Sequence, residues 1–215
     1  PFENDKSDWF DPKWMFGVEE FDIVIGNPPY GVKYTKEEII NFRKSYRVVV
    51  GHSEAYYLFI ERAFSFLKEK GFLTYIIPNA WMSNKYAKGI RELLLDEKSI
   101  NTLINLNKQS VFNSAVVENS ILIVQNTLDL KECHVSNSID LAKKYSFKSS
   151  KWRSNENYLI NFSDNPSIEK ILEMIHSKGV KLSKILDVSN GFKPYQVGYG
   201  RNLQGFPLTP EDVKN

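Results

Sequence analysis

The stretch Phe21-Asp22-Ile23-Val24-Ile25-Gly26-Asn27-Pro28-Pro29-Tyr30-Gly31 constrains this chain more than any other. Phe21 to Ile25 is short, apolar and β-branched, the pattern of a buried strand in a parallel sheet. Two consecutive prolines end it, because neither can donate to a sheet ladder and the residue before a proline is pushed to extended geometry. The tetrapeptide Asn27-Pro28-Pro29-Tyr30 therefore falls at the carboxyl end of a strand, where open α/β sheets place their ligands. The stiff backbone also sets the direction of its carbonyls. The Asn27 side-chain oxygen and the Pro28 carbonyl are two acceptors that match the two N–H donors of an exocyclic amine on a base. Tyr30 adds a flat face beside them. Proline pairs also end strands and open loops where no chemistry takes place, so both readings stand on these residues alone.

Composition sets wide bounds. With 215 residues, 42% hydrophobic and 13% aromatic, the chain can bury a full domain core. Its 28 basic and 26 acidic residues leave a net charge of only +2, so any affinity for nucleic acid has to come from a local patch. The single cysteine, Cys133, excludes an internal disulfide framework and suits a reducing, cytoplasmic setting. No apolar run approaches the ~20 residues that span a bilayer, and no signal peptide is visible. His52, His134 and His176 form no ligand-spaced cluster, so no metal is expected and the three read as surface or loop residues.

After the tetrapeptide, Gly31 to Val50 is polar and basic, with a short helix expected around Glu37–Lys44. Lys33, Lys36, Arg43 and Lys44 suit contacts to a phosphate backbone, and equally suit a solvated loop and helix face. Glu54 to Lys70 carries Tyr57, Ile60, Ala63, Phe64 and Leu67 at helical spacing, with Gly71 as a stop. A second buried strand follows from Phe72 to Ile77, ended by Pro78. Ser83 is a candidate cap for a helix with Tyr86, Ile90, Leu93 and Leu94 on one face. Asn101–Leu106 and Glu118–Asn126 read as further strands, and Lys131–Phe147 as a strand and turn. Trp152 and Tyr158-Leu159-Ile160 are expected to pack on the sheet, and Asn165-Pro166 opens a helix with Ile168, Ile171, Leu172 and Ile175 on one face.

The run Trp9-Phe10-Asp11-Pro12-Lys13-Trp14-Met15-Phe16 leading into the strand and its Asn-Pro-Pro-Tyr end resembles the N6-adenine DNA methyltransferases of restriction-modification systems, most of all the Taq-like group and the large fused type II enzymes. The resemblance extends over most of residues 8–126. Pro78-Asn79-Ala80-Trp81-Met82 is similar to the family motif one helix after the catalytic strand, and Asn190–Gly200 to the start of the family's target-recognition domain.

The resemblance implies a site-specific, adenine-specific DNA methyltransferase that takes its methyl group from S-adenosylmethionine and acts on an adenine flipped out of double-stranded DNA. Asn27, Pro28, Pro29 and Tyr30 would be the catalytic segment, and Tyr30 and Phe112 would stack on the two faces of the base. Asn27, Pro29 and Tyr75 would border the cofactor, although Tyr75 in its strand also reads as a core aromatic. The implied fold class is α/β, the C-terminal half of a Rossmann-like S-adenosylmethionine-dependent methyltransferase sheet with flanking helices. The chain before Phe21 is short and holds no glycine-rich strand-to-helix turn, and Gly191–Gly200 follows no βα pattern. The half with the cofactor loop is therefore expected upstream, outside this chain, which alone is not expected to catalyse. An apolar sheet edge would then be exposed at the catalytic strand, a route to self-association. Residues 1–180 are expected to form the partial catalytic domain and residues 181–215 the beginning of a target-recognition domain. A fused endonuclease would lie outside the chain. Other readings are a methyltransferase acting on protein glutamine or ribosomal RNA, which share Asn-Pro-Pro-aromatic, and a non-catalytic DNA-binding or interaction module.

Overall fold

The computed structural model describes residues 10–51, 53–106, 118–129, 132–140, 144–163 and 165–187. Phe112, His52 and the Ser189–Gly200 segment lie outside these residues. By packing, the chain divides into two units, Pro1–Glu169 and Lys170–Asn215.

The first unit is an α/β layer built on one mixed sheet of six strands. A short helix, α1 (Pro12–Phe16), leads into β1 (Phe21–Gly26). Asp11 starts α1 by accepting the Trp14 N–H at 2.9 Å, and Gly17 ends it in the left-handed region, as a C-terminal glycine does. Two helices, α2 (Lys36–Ser45) and α3 (Ala55–Phe64), carry the chain to β2 (Leu67–Pro78), which runs parallel to β1. Such a pair needs a long crossover, which these helices supply. The chain continues through α4 (Lys88–Glu92) and a wide turn, Leu93–Glu97, to β3 (Ser99–Asn105), then β4 (Asn119–Gln125), β5 (Glu132–Ser136) and β6 (Tyr145–Lys148). The strand order is β1-β2-β4-β3-β5-β6. Strand β4 runs antiparallel between β2 and β3, so β1, β2 and β3 all end on the same rim of the sheet.

Alternation along β2 decides where the core sits. Leu73, Tyr75 and Ile77 are buried, and their partners Val124 and Leu122 on β4 are buried with them. Tyr56, Tyr57, Ile60, Ala63 and Phe64 of α3 pack onto this face, followed by Ile90, Leu93 and Leu94. Each Leu or Ile so buried contributes roughly 1.5–3 kcal/mol. Phe72, Thr74 and Ile76 on the other face of β2 are only half-buried. Trp152, in α5 (Ser150–Arg153), stacks on Phe147 at 4.7 Å and joins the core with Ile160, as expected.

Two elements differ from the sequence reading. Helix α3 ends at Phe64, not Lys70, and Leu67 opens β2. The cause is long-range: the Asn126 amide donates to the carbonyls of Leu67 and Lys68, and the Lys70 N–H donates to the Asn126 carbonyl. These bonds draw Leu67–Lys70, a segment of fair helix propensity, into the sheet, with Lys70 at φ 62°. Tertiary pairing outweighs a preference of a few tenths of a kcal/mol per residue. Ser83 does not cap the next helix. It closes the turn Asn79–Met82, and Asn84 accepts the Tyr86 N–H at 2.9 Å instead. His134 is a half-buried residue of β5 rather than a surface or loop residue.

Helix α6 (Pro166–Lys178) opens on its proline as expected and spans the boundary between the units. Ile168, Ile171, Leu172 and Ile175 share one face, and the Gly179 N–H closes the helix on the Ile175 carbonyl at 2.7 Å. The rest of the described second unit is a single turn at Leu182–Lys184.

Candidate active site

The site is built on the free end of β1. Gly26 is paired with Tyr75, and a Cβ at Gly26 would stand 3.3 Å from the Tyr75 ring. Glycine therefore lets the last residue of β1 lie flat against β2, and the chain leaves the sheet at Asn27. Asn27 and Pro29 are exposed, Pro28 is buried and Tyr30 is partly buried against the core. One proline anchors the segment while the asparagine and the second proline face solvent at the rim, and two fixed φ angles hold that alternation.

The exit from the tetrapeptide is also held. Gly31 has φ +71° with open space where a Cβ would stand, so its conformation rather than crowding requires glycine. Its N–H donates to the Glu54 carboxylate at 3.1 Å. Glu54 occupies the N-cap position of α3 yet makes no side-chain cap to that helix. Tyr34 lies in the same field. Burial, followed by the nearby charges of Glu38 and Glu54, raises its phenol above the usual tyrosine range.

The neighbouring strand ends add a polar group that the sequence reading did not single out. After β2, the Asn79 amide donates to the Asn105 side-chain oxygen at the end of β3 (3.0 Å) and to Glu118 before β4 (3.2 Å). Below it, buried Trp81 donates its indole N–H to Ser120 at 3.1 Å. The guanidinium of fully buried Arg91 donates to the carbonyls of Trp81 (2.7 Å), Asn84 (2.9 Å) and Asn157 (3.1 Å). Burial lowers the pKa of Arg91. Asparagines at two strand ends are visible in sequence, but only the sheet order shows that they meet.

Of the residues expected to border a cofactor, Asn27 and Pro29 are accessible at the rim, whereas Tyr75 is 7% exposed and its hydroxyl is raised in pKa by burial. The described residues offer no glycine-rich turn for that cofactor. They also hold no group of three or more His, Cys, Asp or Glu that suits a metal. A groove of about 440 Å³ between β1 and α3, lined by Phe10, Phe21, Phe59, Phe66 and Tyr75, is aromatic but does not include Asn27, Pro28 or Tyr30.

Lys33, Lys36, Arg43 and Lys44 are all exposed and, among the described residues, enter no ion pair. Lys36, Arg43 and Lys44 lie on α2, which begins with a capping box between Thr35 and Glu38. Arg47, by contrast, is committed to Glu97 at 2.5 and 2.6 Å.

Comparison with known proteins bears on this arrangement. Residues 2–112 match the family described as Eco57I restriction-modification methylase. The type II restriction enzyme and methyltransferase RM.Eco57I of Escherichia coli is 29% identical over 189 residues, 80% of this chain and 18% of that protein. The type II methyltransferase M.BstVI of Geobacillus stearothermophilus is 30% identical over 110 residues, 50% of this chain and 20% of that protein. The type IIG restriction endonuclease BpuSI shares the fold with a TM-score of 0.54 at 14% identity, over 73% of this chain and 22% of its own. The chain thus spans 20% or less of the two methyltransferase relatives.

Proposed function

The chain belongs to the Eco57I restriction-modification methylase family, with a partial Rossmann-like α/β fold, and from that premise we propose that it carries the catalytic segment of an N6-adenine DNA methyltransferase. The observation that carries this reading is the tetrapeptide at the rim of β1, with Asn27 exposed, Pro28 buried and Tyr30 packed against the core.

A base inside a duplex cannot present its amine to a methyl donor, so the adenine has to leave the stack at a cost of a few kcal/mol. Tyr30 recovers part of that cost by stacking on the extruded ring, with Phe112 as the second face. The Asn27 side-chain oxygen and the Pro28 carbonyl accept the two N–H donors of the amine. Its lone pair is delocalised into the ring, and two fixed acceptors favour the more tetrahedral nitrogen of the transition state over the planar ground state. S-adenosylmethionine would be held beside Asn27 and Pro29 and would supply an electrophilic methyl group: the N–C bond forms as the S–C bond breaks, the thioether leaves as S-adenosylhomocysteine, and the surplus amine proton passes to solvent. The chain's part is to hold the nitrogen in line and keep its position fixed. Lys33, Lys36, Arg43 and Lys44 supply phosphate contacts on the approach side, each adding to affinity without reading sequence.

The test is methyl transfer from tritiated S-adenosylmethionine to mixed-sequence DNA by the intact protein containing this chain, followed by nucleoside analysis. N6-methyladenine is expected, and Asn27→Ala should lower the rate at least about 100-fold while the DNA dissociation constant stays within about threefold. Label in protein or RNA but not in DNA, or equal loss of binding and transfer in the variant, would overturn the reading.

A further inference from the structure

Resting on the reading just given, we infer that Glu54 is a positioning residue for the candidate active site, which holds Tyr30 and the Pro28 carbonyl in place through the Gly31 N–H. Three independent features lead to it. Glu54 is anchored by the helix it leads into: Ala55, Tyr56, Tyr57 and Leu58 are all buried, so the first turn of α3 is packed into the protein interior. Its carboxylate does not cap its own helix, the usual task of an acidic residue at that position, but accepts the N–H of Gly31, 23 residues earlier, at 3.1 Å. Gly31 in turn is in the left-handed region, with nothing within 4 Å of a Cβ position. No side-chain contact at the Cβ position fixes that conformation, and the hydrogen bond to the Glu54 carboxylate is a direct tether on it.

The consequence for chemistry is specific. Pro28 and Pro29 fix two φ angles, but the ψ angles of Pro29 and Tyr30 are set by no ring. Fixing the N–H of Gly31 closes the segment at its far end, so that the Tyr30 ring and the acceptors before it are held from both sides. The charged acceptor gives a stronger bond than a neutral one. A misplacement of about 1 Å in a positioned group can reduce a rate by about 100-fold. Glu54 touches neither the base nor the donor in this account and acts only through the loop.

The experiment uses the intact protein and four variants, Asn27→Ala, Tyr30→Ala, Glu54→Ala and Glu54→Gln, plus the Tyr30/Glu54 double alanine variant. Turnover, the KM for DNA and thermal unfolding are measured for each. Glu54→Ala is expected to lower kcat by about 10- to 100-fold with KM for DNA within about threefold and an unchanged melting midpoint. Glu54→Gln keeps an acceptor oxygen and should recover most of the rate. In the Tyr30→Ala background, Glu54→Ala should have less than its full effect, because the group it positions is gone. Wild-type turnover in Glu54→Ala, or equal loss in alanine and glutamine variants together with a lowered melting midpoint, overturns the inference. Asn27→Ala separates the two levels: if it forms N6-methyladenine at the wild-type rate, the underlying reading fails, and if it loses about 100-fold while Glu54→Ala turns over at the wild-type rate, only this inference does.

Discussion

A Cβ at Gly26 would stand 3.3 Å from the Tyr75 ring, tight enough that the ring would have to shift by a few tenths of an ångström, and this close approach turns a sequence pattern into a site. The pattern itself is readable: a β-branched run, then two prolines that no ladder tolerates, with an acceptor-bearing asparagine between. What the sequence does not show is the grip on either side. Tyr75 meets Gly26 through a parallel register, and Glu54 meets Gly31 across 23 residues. Neither distance in space follows from distance in sequence. Cys133, 1% exposed on β5, donates its thiol to the Phe147 carbonyl at 3.5 Å. Burial pushes its pKa up to about 12, against about 8.5 for a free thiol. The neutral thiol is thus favoured in the folded state well past pH 9, and the buried sulfur is also shielded from reagents. We expect no reaction with a disulfide reagent at pH 8 to 9 in the native protein and one equivalent on denaturation. Rapid native reaction would show that β5 and β6 open far more easily than their packing implies.

At the scale of elements, the opposing preferences at Gly89 can be weighed directly. It sits within α4, where alanine would be favoured over glycine by about 1 kcal/mol of helix propensity. Yet a Cβ there would stand 3.0 Å from both the Cα and the carbonyl oxygen of Val48, backbone atoms that no rotamer change can remove. Val48 is itself fixed, because its N–H and that of Arg47 donate to Glu61 of α3, and Arg47 is clamped to Glu97. Overpacking of this sort costs about 1–3 kcal/mol. Gly89→Ala should therefore destabilise by up to about 2 kcal/mol net, read as a lower urea midpoint with an unchanged slope. A raised midpoint would mean that α4 shifts freely. The same contest between local preference and long-range contact explains which elements are legible in the sequence. Strands β1, β3 and β4 and helices α2 and α6 carry their periodicity within one segment and can be recognised close to their observed bounds. The α3–β2 junction is not legible, because residues 67–70 are held by Asn126 from beyond another strand, a partner that no local window contains.

For the molecule as a whole, among the described residues the sheet ends at β1, which is hydrogen-bonded to β2 alone. Ile23 is 60% and Ile25 77% exposed on that strand, beside a groove lined by Phe10, Phe21, Phe59 and Phe66. An apolar edge strand of this kind, with no lysine or proline within it to blunt it, is a template for another strand. Pairing with a second copy is the outcome expected for the chain on its own, and a further part of the sheet in the intact protein is the outcome that the sequence leads us to expect. The double substitution Ile23→Lys, Ile25→Lys separates them. In the isolated chain both side chains are largely in water, so stability should change by no more than about 0.5 kcal/mol per site. Concentration-dependent association in sedimentation velocity should disappear. In the intact protein, a sheet that continues past β1 would bury the two ammonium groups without partners, and such burial costs several kcal/mol per charge. The same variant should then melt far lower or fail to fold. An isolated chain that is monomeric at every concentration removes the edge as a site of self-association. An intact protein indifferent to the lysines would show that β1 is its true edge, with the candidate active site lying at the margin of the sheet rather than within it.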